Sequence, residues 1–179
     1  VHLGASFSTR DPADNHTRYR SRPEARFVDF LVDTGNFDAG RIKLYGLELV
    51  GLRGPLSFQS ELIVSEVEGT NWGDVDLWGS YVQVGYFITG DHRSYDNELG
   101  VFSRMQPLLR YSGDLFHGGF GGAWEVTGRV SNVDLNDGGV QGGKMTDLSV
   151  GLNWYLSPTS ALKLNYIHSN VEDQGRANV

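Results

Sequence analysis

Arginines stand at positions 18, 20 and 22 of the stretch "RYRSRPEAR", with Arg26 four residues further on. In an extended chain, a spacing of two sends side chains the same way, about 6.6–6.8 Å apart. Such a file suits an oxyanion that sheds part of its water and then moves on. Each planar guanidinium offers donors to a pair of oxygens, and neighbouring sites let the ion step along rather than stick. This is the chemistry of recognition and passage, with no bond made or broken. Glu24 interrupts the file and puts its lower rung, Arg26, in question. A solvated polar loop with scattered charge has the same composition, and spacing alone leaves both readings open.

Four further cations are candidates for a charged role in binding or in structure. Arg129 and Lys163 fall on the polar faces of alternating segments, and Glu125, on the same face as Arg129, is expected to pair with it. Arg93 and Arg104 lie in the stretch 91–122, where each could add positive charge to a narrowing or tether the chain through a salt bridge. Other chemistries find little support. The histidines at 2, 16, 92, 117 and 168 lack metal-ligand spacing, and "DHR" at 91–93 has no nucleophile in a recognisable context. The clusters "HGGFGG" and "DGGVQGG" lack the lysine that follows in a phosphate-cradling loop. Glu66 and Glu68 read as solvated carboxylates near a strand end. The expectation is a protein that is not an enzyme, with no cofactor and no metal.

The elements that would position these residues have a period of two. From Thr146 to Ser169, Leu148, Val150, Leu152, Trp154 and Leu156 alternate with Ser149, Gly151, Asn153 and Tyr155. After the turn 157–160, Leu162, Leu164 and Tyr166 are set against Lys163 and Asn165, so two half-apolar strands form a hairpin. The same alternation marks Val1 to Arg10, Arg41 to Arg53 (ambiguous around Glu48), the stretch after the Gly54-Pro55 turn, the stretch from Trp78 to Ile88, and the stretch from Trp124. Seven strands result, most about ten residues long, the length a tilted strand needs to cross a hydrocarbon layer. Connections at 54–55 and 157–160 are short, and those at 68–74 and 134–145 read as longer loops. Residues 24–34 place Phe27, Phe30 and Leu31 at helical spacing after Pro23, which fits a short helix or an irregular segment.

Among 179 residues, 24 are glycine and none is cysteine, and the formal net charge is -7. The acidic balance argues against nucleic acid as a partner. No run of 18 apolar residues exists, which excludes a transmembrane helix. A soluble β-sandwich with one wet face would alternate identically. Two features favour lipid: polar faces crowded with Gln, Asn, Glu, Arg, Lys, Ser and Gly, and Trp78, Trp124, Trp154, Tyr155 and Tyr166 in or near strands, where interfacial girdles use them.

Several blocks stand in a definite order: "RYRSRPEARFVDFLVDTG" at 18–35, "WGSYVQVGYFITGDHRSYD" at 78–96, "GVFSRMQP", "GAWEVTGRVSNVDLNDGGVQGGK" and "VGLNWYLSPTSALKLNYIHSNV". Together they resemble the C-terminal part of the phosphate-selective porin family, O and P type. The resemblance implies an all-β fold, an antiparallel transmembrane β-barrel of 16 strands in the outer membrane. It also implies a trimer in the best-known members and passive passage of phosphate and related anions. By it, residues 1–179 are one part of a barrel domain whose remaining strands complete the wall. The stretch 11–40 falls where the family has a long extracellular loop folded into the pore, and 91–122 falls on the periplasmic side as a second constricting segment. Arg18, Arg20 and Arg22 look like the family's arginine ladder, with Arg26 its lower rung. The rival expectation is a structural barrel or complex subunit without selective transport.

Overall fold

The computed structural model describes residues 1–69, 73–96, 98, 100–108 and 121–172. Seven long strands form one antiparallel sheet: β1 (His2–Arg10), β2 (Arg41–Arg53), β3 (Leu56–Glu68), β4 (Val75–Phe87), β5 (Ala123–Asp137), β6 (Val140–Ser157) and β7 (Ser160–Glu172). Their order in the sheet is their order in sequence, so the chain is a simple meander. The sheet is open, and among the described residues β1 and β7 do not pair with each other. No helix occurs among the described residues; 24–34, where helical spacing was one option, is irregular until a two-residue bridge at Val32–Asp33.

One expected loop is absent. The stretch 134–145 belongs to a hairpin, because β5 runs to Asp137 and β6 begins at Val140. Its register shifts between Asp134 and Asn136, so the many glycines serve a turn and a bulge rather than a loop. Gly143 carries a φ of 93°, which only glycine adopts without strain, and its N–H donates to Asn136 Oδ1 at 2.7 Å.

The alternation separates two faces cleanly. Outward go Leu47, Leu62, Val82, Val84, Tyr86, Val126, Val130, Leu148, Val150, Leu152, Leu162 and Leu164, all exposed. Inward go Ser57, Ser65, Glu125, Asp147, Ser149 and Asn153, all buried. The inner face thus mixes these polar residues with the apolar patch that seats the segment 11–40, while the outer face is a continuous exposed apolar surface, as for a wall facing lipid. Glu48, ambiguous by sequence, faces inward, where its carboxylate meets His2 Nε2 at 3.1 Å.

The apolar belt also runs obliquely. Its last members at the charged end are Phe7, Tyr45, Val64 and Trp78, register neighbours across β1 to β4. By β5 and β6 the edge has moved inward to Val130 and Leu148, and by β7 to Tyr166. A flat layer cuts tilted strands in this manner. A drop of about six residues at ~3.3 Å each, over six gaps of ~4.8 Å, gives a tilt of about 35°, at the lower edge of the range for membrane barrels. Along β4 the belt runs from Trp78 to Ile88, whose N–H donates to Trp124 O. That is about 33 Å of strand, or roughly 27 Å once tilted, close to the ~25 Å apolar band of outer-membrane barrels. Trp124, beside Ile88 at that end, stacks with Trp154 at 4.8 Å.

The segment 11–40 leaves the end of β1 and lies on the inner face. Val32, Phe37 and Ala39 bury themselves against Ile42, Val67, Val75, Leu77, Leu135, Val140 and Met145, with Tyr19 and Leu31 packed alongside. Burying Val32 and Phe37 stabilises the docked segment by about 1.5–3 kcal/mol each. Apolar packing therefore fixes this loop against the wall.

Candidate pore constriction

Within the docked segment, Arg20–Ser21 pairs with Val32–Asp33, placing Arg20 beside Asp33 and Ser21 beside Val32. The extended stretch from 18 to 22 consequently alternates. Tyr19 turns to the wall, donating or accepting a hydrogen bond with Ser65 on β3 at 2.7 Å, and its N–H donates to Thr34 Oγ1 at 2.9 Å. Val32 is sealed in the core. Arg18 and Arg20 are exposed on the opposite side, and Arg22 is partly so.

The three arginines differ in their partners. Arg18 Nε donates to Asp33 Oδ1 at 2.8 Å, and its Nη2 meets the other carboxylate oxygen in a bidentate pair. The Asp33 carboxyl is accordingly held below its usual value, chiefly by the hydrogen bonds from Arg18, and the Arg18 guanidinium is pushed up. Arg20 and Arg22 form no ion pair with a carboxylate among the described residues. Both instead sit over the Phe30 ring, with guanidinium carbons 4.1 and 4.2 Å from its centre. Arg22 also donates to the carbonyl of Arg26 at 2.8 Å. Arg26 stands in a turn outside the extended file, and its side chain is exposed.

Glu24 does not interrupt the file in space. It turns to the wall, forms an ion pair with Arg129 on β5, and accepts hydrogen bonds from Ser131 Oγ at 3.1 Å and Ser149 Oγ at 2.6 Å. Arg129 also stacks on Tyr81, with its guanidinium carbon 3.7 Å from the ring centre. The pairing of Arg129 with Glu125 expected from their shared face is thus incorrect. Between this latch and the wall lies a cavity of about 320 Å³ lined in part by Arg22, Glu61, Tyr81 and Asp147.

Glu125 belongs to a second site near the opposite end of the strands. Arg93 embraces it through Nε at 2.9 Å and Nη2 at 2.7 Å, while Asn153 Nδ2 and the Tyr155 hydroxyl each donate to it at 3.0 Å. Its carboxylate is fully buried. Gly85 makes room for it, because a Cβ there would come within 2.7 Å of Glu125 Oε1. Phe87, Met105, Ala123 and Tyr155 pack around this ion pair, and Tyr95 reaches His2 on β1 with ring centres 5.6 Å apart. The described part of 91–122 therefore crosses the inner face from β5 and β6 towards β1. Arg104 is exposed on that segment. Lys163 is exposed on the inner face of β7, its Nζ 5.9 Å from the Tyr155 ring. His117 and most of "HGGFGG" lie outside the described residues.

Sequence reasoning missed Asp33, the carboxylate that binds Arg18, and two further participants. Phe30 was read only as an apolar residue at helical spacing, and no local signal ties it to Arg20 and Arg22. Glu24 was read as a break in a row, because its partner lies far along the chain in β5.

A tilted antiparallel meander, apolar outside and polar inside, with a long loop folded on its inner face, is the wall of a porin-type β-barrel. The chain belongs to the family described as Phosphate-selective porin O and P, which matches residues 1–179. It is 35% identical over 170 residues to an uncharacterized protein of Caulobacter vibrioides, covering 93% of this chain and 33% of that one. It is 24% identical over 202 residues to Porin O of Pseudomonas aeruginosa, covering 96% of this chain and 44% of that one. The chain thus spans less than half the length of either relative.

Proposed function

We propose that this chain supplies part of the wall and the constriction of an outer-membrane channel that passes phosphate and related small anions by passive diffusion. Arg20 and Arg22 are the principal selecting charges, and Arg18 is a third whose charge Asp33 offsets. One observation carries this reading: two guanidinium groups that form no ion pair with a carboxylate among the described residues stand on a loop packed against the inner wall. Fixed charge at a narrowing acts through a lower effective dielectric than bulk water, so it discriminates between ions more strongly there. Arg26, Arg104 and Lys163 add exposed positive charge along the path. Arg93 and Arg129 act mainly by holding the two inner segments in place.

The barrel is completed by strands outside residues 1–179, faces outer-membrane lipid, and assembles as a homotrimer like the best-known family members. The end bearing 11–40 is extracellular and the end bearing 91–122 periplasmic. In the complete protein, the reversal potential across a salt gradient compares wild type with the Arg18→Ala, Arg20→Ala, Arg22→Ala variant. A steep loss of anion preference with the pore still open is the expected result. Equal preference in both removes these arginines from the mechanism, and absence of any conductance favours a structural barrel.

A further inference from the structure

We infer that Phe30 is a positioning residue for anion selection, holding Arg20 and Arg22 by their faces so that their hydrogen-bonding edges meet the passing ion. The inference rests on the reading of those two arginines as the selecting charges. A guanidinium is flat, and its donors lie in its plane. A ring on its face uses the cation without consuming a donor, whereas a carboxylate partner would occupy two, as Asp33 does for Arg18. Arg22 spends only Nη1, on the Arg26 carbonyl. With both guanidinium carbons at about 4 Å from one ring centre, the two lie within roughly 8 Å of each other, about a Debye length at physiological salt. Like charges that close repel, and each sits on a long side chain free to rotate. The negative face of the aromatic ring offsets that repulsion and limits the rotation.

Phe30 can do this because its own backbone is fixed. The N–H of Leu31 donates to Ser21 O at 3.0 Å, and Val32 is buried in the core. The pairing of Ser21 with Val32 brings the strand carrying the arginines directly beside the approach to Phe30. Phe27, by contrast, is 93% exposed and has no such role. One aromatic residue thus sets the orientation of two charges.

The experiment uses the complete protein in planar bilayers, with Phe30→Leu, Phe30→Trp and the Arg20→Ala, Arg22→Ala pair compared with wild type. Phe30→Leu should lower the anion-to-cation permeability ratio about two- to fivefold, the range expected for losing an exposed cation–π contact. Phe30→Trp should retain it. A second variant carries a trifluorinated phenylalanine at position 30, which keeps the ring's shape but weakens its negative face, and it should fall with Phe30→Leu. This variant decides the matter if Phe30→Leu fails to fold. Ring-current shifts of the Arg20 and Arg22 side-chain signals are recorded in parallel. Loss of selectivity in the arginine pair, with wild-type selectivity in both the leucine and fluorinated variants, overturns the role of Phe30 alone. Wild-type selectivity in the arginine pair overturns the reading of the arginines. The ring-current shifts still decide in that case whether Phe30 orients them, and their absence in wild type overturns the stacking.

Discussion

Glu24 turns away from the arginine file and docks on Arg129, so the residue that breaks the row in sequence anchors it in space. Ser131 and Ser149 bind the same carboxylate, which ties the loop to both β5 and β6. The loop has two kinds of anchor: an apolar core around Val32 and Phe37, and this polar latch.

The two anchors are separable. Glu24→Ala should speed amide exchange at Leu31, whose N–H bonds Ser21 near the latch. Exchange at Thr34, whose N–H bonds Tyr19 O beside the core, should change little. Glu24→Gln, which keeps an acceptor for the serine hydroxyls but loses the ion pair, should fall between. Equal acceleration at both amides would show that the latch and the core melt as one unit.

The second inner site gives a stability prediction. Arg93→Ala leaves a fully buried carboxylate with two neutral donors and no countercharge. Breaking a buried pair from one side costs about 3–5 kcal/mol. The variant should lose its folded, fast-migrating form on a denaturing gel at a lower temperature than wild type. Replacing Arg93 and Glu125 together by Met and Leu should recover much of the loss, since no charge is then stranded. A double variant as unstable as the single one would contradict this account.

The outward hairpin should report lipid. Leu152 and Leu164 are register partners near the middle of the apolar stretches of β6 and β7. An arginine at either position should destabilise the barrel by about 2–4 kcal/mol, less if it lies nearer an interface. Single cysteines at 153 and 163 should react with a water-soluble thiol reagent once the lumen is open to it, and those at 152 and 164 should not. Labelling of 152 and 164 equal to that of 153 and 163 would reverse the facing. Asn153 is buried beside Glu125, its register partner, so its labelling should be slower than that of Lys163.

The wall was legible in sequence because a strand's faces alternate with period two, and a barrel makes that alternation strict. The hairpin of Val140–Ser157 and Ser160–Glu172 shows it: every assigned side of Leu152, Asn153, Leu162 and Lys163 follows from parity. Composition misled at 134–145, where a two-residue turn and a bulge need the same glycines that a loop would. Contacts between distant elements left no local trace. Arg129 had a carboxylate on its own strand face, yet a loop brings Glu24 closer and Glu125 is taken by Arg93. The irregular course of 24–34 was one of two readings, and the core site for Val32 favours it over a helix.

The pair of Arg18 and Asp33 makes selectivity depend on pH in a defined direction. Hydrogen bonds from Arg18 are the largest influence on Asp33 and hold its carboxyl below the ordinary value of about 3.9. A carboxyl lowered in the folded state contributes stability above its unfolded value and loses it as pH falls through the folded one. Between pH 7 and 5 the pair should therefore stay intact and the anion preference constant. As pH falls through the lowered folded-state value of Asp33, below the ordinary carboxylate range, Asp33 takes up its proton, Arg18 keeps its charge, and a third uncompensated cation faces the path. Anion preference should then rise before the fold is lost. Asp33→Asn should produce the same rise at neutral pH, because the amide occupies the carboxylate's place without its charge. That variant should also flatten the acid limb of the profile. The measurement is the reversal potential as a function of pH for wild type and Asp33→Asn. A wild-type preference that falls with acid, or an Asp33→Asn channel no more anion-selective than wild type at pH 7, would mean that Arg18 does not face the permeating ion.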